Sequence, residues 1–238
     1  SEDVIAAIKA INTLGIKSIR NGNTIKIYGK GINGYNYKKN LIINCKNSGT
    51  LGRLILGLLI NTNNPIKLIG DQSLSRRDFK RITDPLSKFG AKFKLNKNKN
   101  LPLKIYGSSN LKPIKYHETR GSAQCKSSVI LAGMRTNGIT LIKAKKSRNH
   151  TELLCKFLNL PITIKQKKNY DEIKIKKIKK IKPFNYNIPS DISSSAFFMV
   201  LTALSENSKL LIKNVSINQS RIGVITILKK MGVKINFE

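Results

Sequence analysis

Two short stretches hold the residue types and spacings best suited to chemistry. Asn47-Ser48-Gly49-Thr50 sets small residues ahead of an apolar run, with Arg53 one turn on. Ser122-Ala123-Gln124 repeats the arrangement, with Lys126 and Ser127 close behind. A helix starting on such residues offers unpaired backbone N–H groups and the positive end of its dipole, and both attract phosphate. The same residue types also cap helices with no ligand involved. One such start reads as a cap alone. Two at matching places, each with cations nearby, bring anion binding level with capping.

Two loops add to this. Gly70-Asp71-Gln72-Ser73-Leu74-Ser75-Arg76-Arg77 follows an apolar strand and leads to a helix, and its arginine pair suits bidentate capture of phosphate or carboxylate. The bland alternative is a surface loop with a cap at Asp78. Ser147-Arg148-Asn149-His150-Thr151-Glu152 is the corresponding loop one unit later. His150 reads as a polar residue at a helix start, and His117 carries no assignment. Ser48, Ser122 and Ser147 have no His–acid pattern beside them, so a Ser-His-Asp hydrolase has no support. The 12 acidic residues are too scattered for a two-carboxylate site.

The elements that must position these residues alternate between two patterns. In the first, an amphipathic helix ends in a breaker and a hairpin follows. It spans 3–14 with 16–19 and 24–28, then 78–89 with 91–95 and 101–106, then 151–158 with 161–165 and 172–176, then 222–231 with a strand at 233–237. Gly15, Gly90 and Gly232 stand where a left-handed C-cap belongs. In the second, a small-residue start leads to a helix apolar nearly all round, a polar break and a strand. It spans 51–60 with 66–69, then 125–134 with 140–143, then 196–204 with 209–213. Helices of that kind lie inside a domain. The period is about 70 to 75 residues, longer than a solenoid unit. Each unit reads helix–strand–helix–hairpin. The chain opens halfway through one unit, holds two full units and stops inside the next. That phase is the mark of a piece of a longer protein.

Composition sets limits on function. The 238 residues carry 45 Lys+Arg against 12 Asp+Glu, a formal charge of +33. Such a balance suggests nucleic acid or an anionic membrane. The lysines are spread along the whole length, however, with no Trp and only 6% aromatics for base stacking. The densest run, 174–182, alternates lysine with isoleucine at its start and reads as a strand with one solvated face. Cys45, Cys125 and Cys155 stand far apart with no C-x-x-C, so neither a disulfide framework nor a zinc site is indicated. That usage points to a reducing compartment. The longest apolar run, 54–60, is too short to span a bilayer, and Ser1-Glu2-Asp3 does not start a signal peptide.

Five motifs in order carry a family resemblance. They are Asn47-Ser48-Gly49-Thr50-x-x-Arg53, Gly70-Asp71-x-Ser73-Leu74-x-x-Arg77, Ser122-Ala123-Gln124-x-Lys126-Ser127, Ser147-Arg148-x-His150-Thr151-Glu152 and Ser190-Asp191-Ile192-Ser193-Ser194-x-Ala196-Phe197-Phe198. In this order and spacing they resemble the 3-phosphoshikimate 1-carboxyvinyltransferases, or EPSP synthases. The variant motifs resemble the bacterial glyphosate-tolerant class.

The resemblance implies an α/β (α+β) fold of repeated β-α-β-α-β-β units, enolpyruvyl transferase-like, in a two-domain inside-out barrel that is incomplete here. It implies that residues 1–185 form most of the N-terminal domain and 186–238 the start of the second. The implied reaction transfers the enolpyruvyl group of phosphoenolpyruvate to the 5-hydroxyl of shikimate 3-phosphate and releases phosphate. Asn47, Gly49 and Thr50 would face phosphoenolpyruvate, and Arg77 would pair with its phosphate or carboxylate. Ser122 and Ala123 would meet the shikimate phosphate, with Gln124 between both substrates. Arg148, and with it Ser147, would contact the shikimate phosphate, while Asp191 would act as a structural cap.

The family's proton-transfer groups would precede Ser1 or follow Glu238, so no catalytic residue is assigned within the chain. The resemblance implies no cofactor, no metal, no nucleic acid or membrane partner, a monomer at full length, and a cytoplasmic location. Asp78 stands where the family usually has Pro, a carboxylate placed to compete for Arg77. Asn149 and Ser190 replace a common Asp and a common Gly.

Rival readings are the sister enolpyruvyl transferase acting on UDP-N-acetylglucosamine, a basic nucleic-acid-binding repeat protein, and a degraded, inactive gene product. Against the sister enzyme, no candidate loop carries a catalytic Cys. The sequence predicts that the purified 238-residue chain, given both shikimate-pathway substrates, releases no phosphate. A colorimetric phosphate assay checks this, and measurable release overturns it.

Overall fold

The first apolar stripe winds into α1 (Glu2–Thr13), which buries Ala6 and Ala10 along one face, with Leu14 buried just beyond its end. Positions four apart share a helix face, so this spacing is what turns the stripe toward a core. A short antiparallel hairpin, β1 (Ser18–Asn21) and β2 (Thr24–Ile27), follows. The computed structural model describes residues 1–237. The chain divides into two units, Ser1–Lys182 and Pro183–Glu238.

Two units of identical topology make up most of the first. One runs β3 (Leu41–Asn44), α2 (Gly49–Leu58), β4 (Ile66–Ile69), a single turn α3 (Gln72–Ser75), α4 (Lys80–Ser87), β5 (Lys92–Lys94) and β6 (Leu103–Tyr106). The other runs β7 (Lys115–Glu118), α5 (Ala123–Gly133), β8 (Ile139–Lys145), α6 (His150–Phe157), β9 (Ile162–Gln166) and β10 (Tyr170–Lys176). The sheet orders are β3-β4-β6-β5 and β7-β8-β10-β9. In each, the first strand pairs in parallel with the second, and the hairpin folds back antiparallel. A parallel pair needs a crossover, and α2 and α5 supply it.

The β-α-β-α-β-β unit is thus present twice. The residue pattern alone gave helix–strand–helix–hairpin, without β3 and β7. β3 is a four-residue strand with a single buried side chain, Ile43, so the sequence lacks an alternating run there. The lysine-rich strand β10 alternates as expected, with Ile173 and Ile175 buried and Lys174 and Lys176 exposed. Gly15, Gly90 and Gly232 all take positive φ, at 84°, 113° and 91°.

The core sits around α2 and α5. Leu56, Leu59 and Ile60 at the end of α2, Val129 and Ile130 in α5, and Phe79 and Phe89 flanking α4 are all fully buried. Each such side chain contributes about 1.5–3 kcal/mol by leaving water. The helices approach so closely that a Cβ at Gly57 would lie 2.2 Å from the Ser128 carbonyl oxygen. Ser128 Oγ, also buried, donates to the Arg53 carbonyl at 3.0 Å and closes the seam with a hydrogen bond.

The second unit departs from the sequence reading. Asp191 caps α7 (Ile192–Leu204), accepting from the Ser193 N–H at 3.1 Å. Arg221 donates to Asp191 at 2.8 Å, and α8 (Gly223–Lys230) follows. The strands expected at 209–213 and 233–237 do not form; one parallel bridge, Ser190 to Val215, stands in their place. α7 is apolar nearly all round yet buries only Ile192, while Phe197 is 79% and Leu204 80% exposed. Among the described residues of this unit no sheet forms to cover that helix.

The α2–α5 seam yields a stability prediction. Alanine is a better helix former than glycine by about 1 kcal/mol. At residue 57 the clash with backbone opposes that gain, and overpacking costs about 1–3 kcal/mol or more. Gly57→Ala therefore lowers the urea midpoint of unfolding, and an unchanged or raised midpoint contradicts the close contact.

Candidate functional site

Two helix starts lie side by side in the first unit. Ser48 caps α2, its Oγ accepting from the Leu51 N–H at 3.2 Å. Ser122 caps α5, its Oγ accepting from the Cys125 N–H at 3.3 Å. The capping reading is thus correct for both serines. Each hydroxyl accepts through a lone pair and keeps its own proton to donate elsewhere. Capping and anion binding are compatible here.

Side chains bridge the two starts. Gln124 Oε1 accepts from Arg53 Nη1 at 2.5 Å, and Gln124 Nε2 donates to Thr50 Oγ1 at 3.0 Å. Arg77 Nη2 donates to Asn47 Oδ1 at 3.1 Å and to Ser73 Oγ at 3.5 Å. A Cβ on Gly49 would fall 3.0 Å from Arg77 Nη1 and 3.1 Å from Arg53 Nη1. Glycine at this position lets both guanidinium groups reach the backbone of the helix start.

The arginines form a concentration of positive charge. Arg53 is 5% exposed and lies over the Phe79 ring at 5.7 Å. Burial, and then repulsion from Arg81 and Arg77, pull its pKa below the ordinary guanidinium value. Its Nε is buried without a hydrogen-bond partner. Guanidinium groups stay protonated in proteins, so this is a site of positive potential that Asp78 offsets only in part. Among the described residues Asp78 forms no ion pair with Arg77; its Oδ1 accepts from the Lys80 N–H at 2.7 Å.

The loop at 147–149 stands apart from this hydrogen-bonded cluster but borders the start of α5. A Cβ on Gly121 would lie 3.3 Å from the Lys146 carbonyl oxygen. The buried Glu118 carboxylate fixes the approach to Ser122 by accepting from the N–H groups of Arg120 at 3.0 Å and Gly121 at 2.7 Å. Arg148 is exposed, and Ser147 Oγ is buried without a partner.

The structure therefore brings Asn47, Gly49, Thr50, Arg77 and Gln124 together as two hydrogen-bonded sets, Arg53–Gln124–Thr50 and Arg77–Asn47, that meet at Gly49. Ser122 and Ala123 share the helix start with Gln124, and Ser147 and Arg148 lie on the adjoining loop. Arg53 was absent from the candidate site residues, although it stands four positions after Gly49, the spacing that places two residues on one helix face.

The cysteines take no part. All three are buried, and burial pushes the Cys45 thiol up to about 12 and Cys155 to about 11. Among the described residues no group of three or more His, Cys, Asp or Glu side chains is placed to hold a metal ion. No helix among them is long and apolar enough to cross a membrane.

Comparison with known proteins shows which family the whole chain resembles. A sequence model of the family described as EPSP synthase (3-phosphoshikimate 1-carboxyvinyltransferase) matches residues 1–238. The 3-phosphoshikimate 1-carboxyvinyltransferase of Streptococcus agalactiae is 40% identical over 236 residues, covering 98% of this chain and 54% of that protein. The enzyme of the same name from Caldicellulosiruptor bescii is 41% identical over 242 residues, covering 100% and 55%. The solved EPSP synthase of Acinetobacter baumannii superposes with a TM-score of 0.85 at 34% identity, covering 98% of this chain and 52% of that one. The chain spans about half the length of the curated relatives it matches.

The Gln124 bridge is directly testable. Gln124→Leu leaves Arg53 Nη1 buried without its acceptor, a loss of about 1–3 kcal/mol. A lower urea midpoint is expected, and an unchanged midpoint would mean the bridge does not form.

Proposed function

Because the chain belongs to the EPSP synthase family, we propose that it supplies one substrate-binding half of an enolpyruvyl transferase. In this reading phosphoenolpyruvate is protonated at its methylene carbon and the 5-hydroxyl of shikimate 3-phosphate attacks the resulting cation. The tetrahedral adduct then loses inorganic phosphate. No residue of this chain is assigned to the proton transfers. Residues 1–185 act as most of one domain, and 186–238 begin its partner.

One observation carries the reading: two guanidinium groups, Arg53 and Arg77, converge on Gly49 at the capped start of a helix. Both substrates are polyanions, and preorganised cations and N–H groups stabilise charge without reorganising during the reaction. Asn47, Gly49, Thr50 and Arg77 receive phosphoenolpyruvate. Gln124, anchored to Arg53 and Thr50, stands between the substrates. Ser122 and Ala123 offer a hydroxyl proton and backbone to the shikimate phosphate, and Ser147 and Arg148 close on it from the next loop. The unpartnered Ser147 Oγ fits that role. The reading extends to a monomer in the cytoplasm without a cofactor; three unpaired cysteines are in keeping with a reducing compartment.

The test uses the protein completed to the length of its relatives. Arg77→Ala lowers turnover about a hundredfold, the scale of losing one charge-stabilising donor. Steady-state phosphate release measures it, and a near-normal rate removes Arg77 from the site.

A further inference from the structure

We propose that Lys126 and Glu152 are positioning residues, a buried ionic clamp that sets the gap between two walls of the shikimate-phosphate subsite. The clamp rests on the reading above for the identity of the ligand, and on geometry alone for its mechanical part.

Lys126 Nζ lies 2.6 Å from Glu152 Oε1, with side-chain exposures of 0% and 4%. Beside it, Ser127 Oγ and Thr151 Oγ1 are 2.6 Å apart and share a hydrogen bond. Two consecutive residues of α5 thus hold two consecutive residues of α6. Lys126 follows Ser122 by one helical turn, and Glu152 lies in the first turn after the 147–149 loop. The clamp therefore ties α5 to α6 one helical turn beyond Ser122 and four residues beyond Arg148.

Stability alone does not account for an ion pair here. Apolar residues of similar volume commonly match or exceed a buried pair in stability. The contact is ionic only: Lys126 Nζ and Glu152 Oε2 are both buried without a hydrogen bond, which reduces its net value further. What charge supplies and packing does not is a fixed partner: neither ion can leave the other without standing alone in the interior. Ser122 and Arg148 are then held at one separation before any ligand arrives, and preorganisation of that kind raises affinity.

The experiment compares the 238-residue chain with its Lys126→Met/Glu152→Leu double variant by amide hydrogen exchange and thermal unfolding. The expected result is an unchanged or raised melting temperature with exchange at 147–150 faster by about tenfold, a local opening without global loss. Unchanged exchange there, or a rise spread equally over β8 and β10, overturns the clamp. Thr151→Val provides a milder second variant and is expected to quicken exchange in the same segment only. Shikimate 3-phosphate is then added to the unaltered chain, where protection of 121–124 and 147–150 is expected. If the variants behave as expected but the ligand gives no protection, the ligand assignment fails and the mechanical clamp stands.

Discussion

Everything at the site depends on how closely α2 and α5 approach. The seam is made by an absent side chain at Gly57 and by the Ser128 hydroxyl bonded to the Arg53 carbonyl. With the backbones that near, the two helix starts fall within reach of one glutamine. Gln124 then joins Arg53 to Thr50, and Arg77 folds over Gly49 onto Asn47. Widening the seam by the width of a methyl group would separate the caps and leave Arg53 Nη1 without its acceptor. The core and the site are therefore one packing problem, with apolar residues at one end of the helices and cations at the other.

Much of this was legible in the residues. β4 was read at its observed limits, and the caps, the hairpins and the two central helices follow from local chemistry that acts over a few residues. The misreadings share a cause. The apolar surface of α7 predicts burial only if something covers it, and no local pattern specifies the cover. The segments at 209–213 and 233–237 have strand-like composition, yet a strand exists only through its neighbours, and these find no ladder. β3 and β7 failed in the opposite sense: weak patterns on their own, fixed by pairing with β4 and β8.

The site shows the same division. The candidate residues stand out as cap and loop chemistry, with Arg53, Lys126 and Glu152 in the same motifs, while the Arg53–Gln124 bond and the Lys126–Glu152 pair are visible only in the fold. A lysine in a chain with 45 Lys+Arg carries no sign that it will be fully buried. The overall +33 is accordingly a poor guide to function. Most of it decorates solvated faces such as that of β10. In the proposed reading, the part that bears on chemistry is a few arginines whose planar forks suit phosphate and carboxylate better than a lysine point charge.

The cluster of Arg53, Arg77 and Arg81 has a consequence for folding as well as for binding. Burial first, and then the repulsion of Arg81 and Arg77, hold the Arg53 pKa below its ordinary value, and the opposing pull of Asp78 does not cancel them; like charges held together in this way raise the free energy of the empty state. An anion entering between them cancels that repulsion, so part of its binding energy is returned as stability of the fold. Ligand-free, the cluster resembles a spring of charge held compressed, and any anion that fits between the arginines relaxes it.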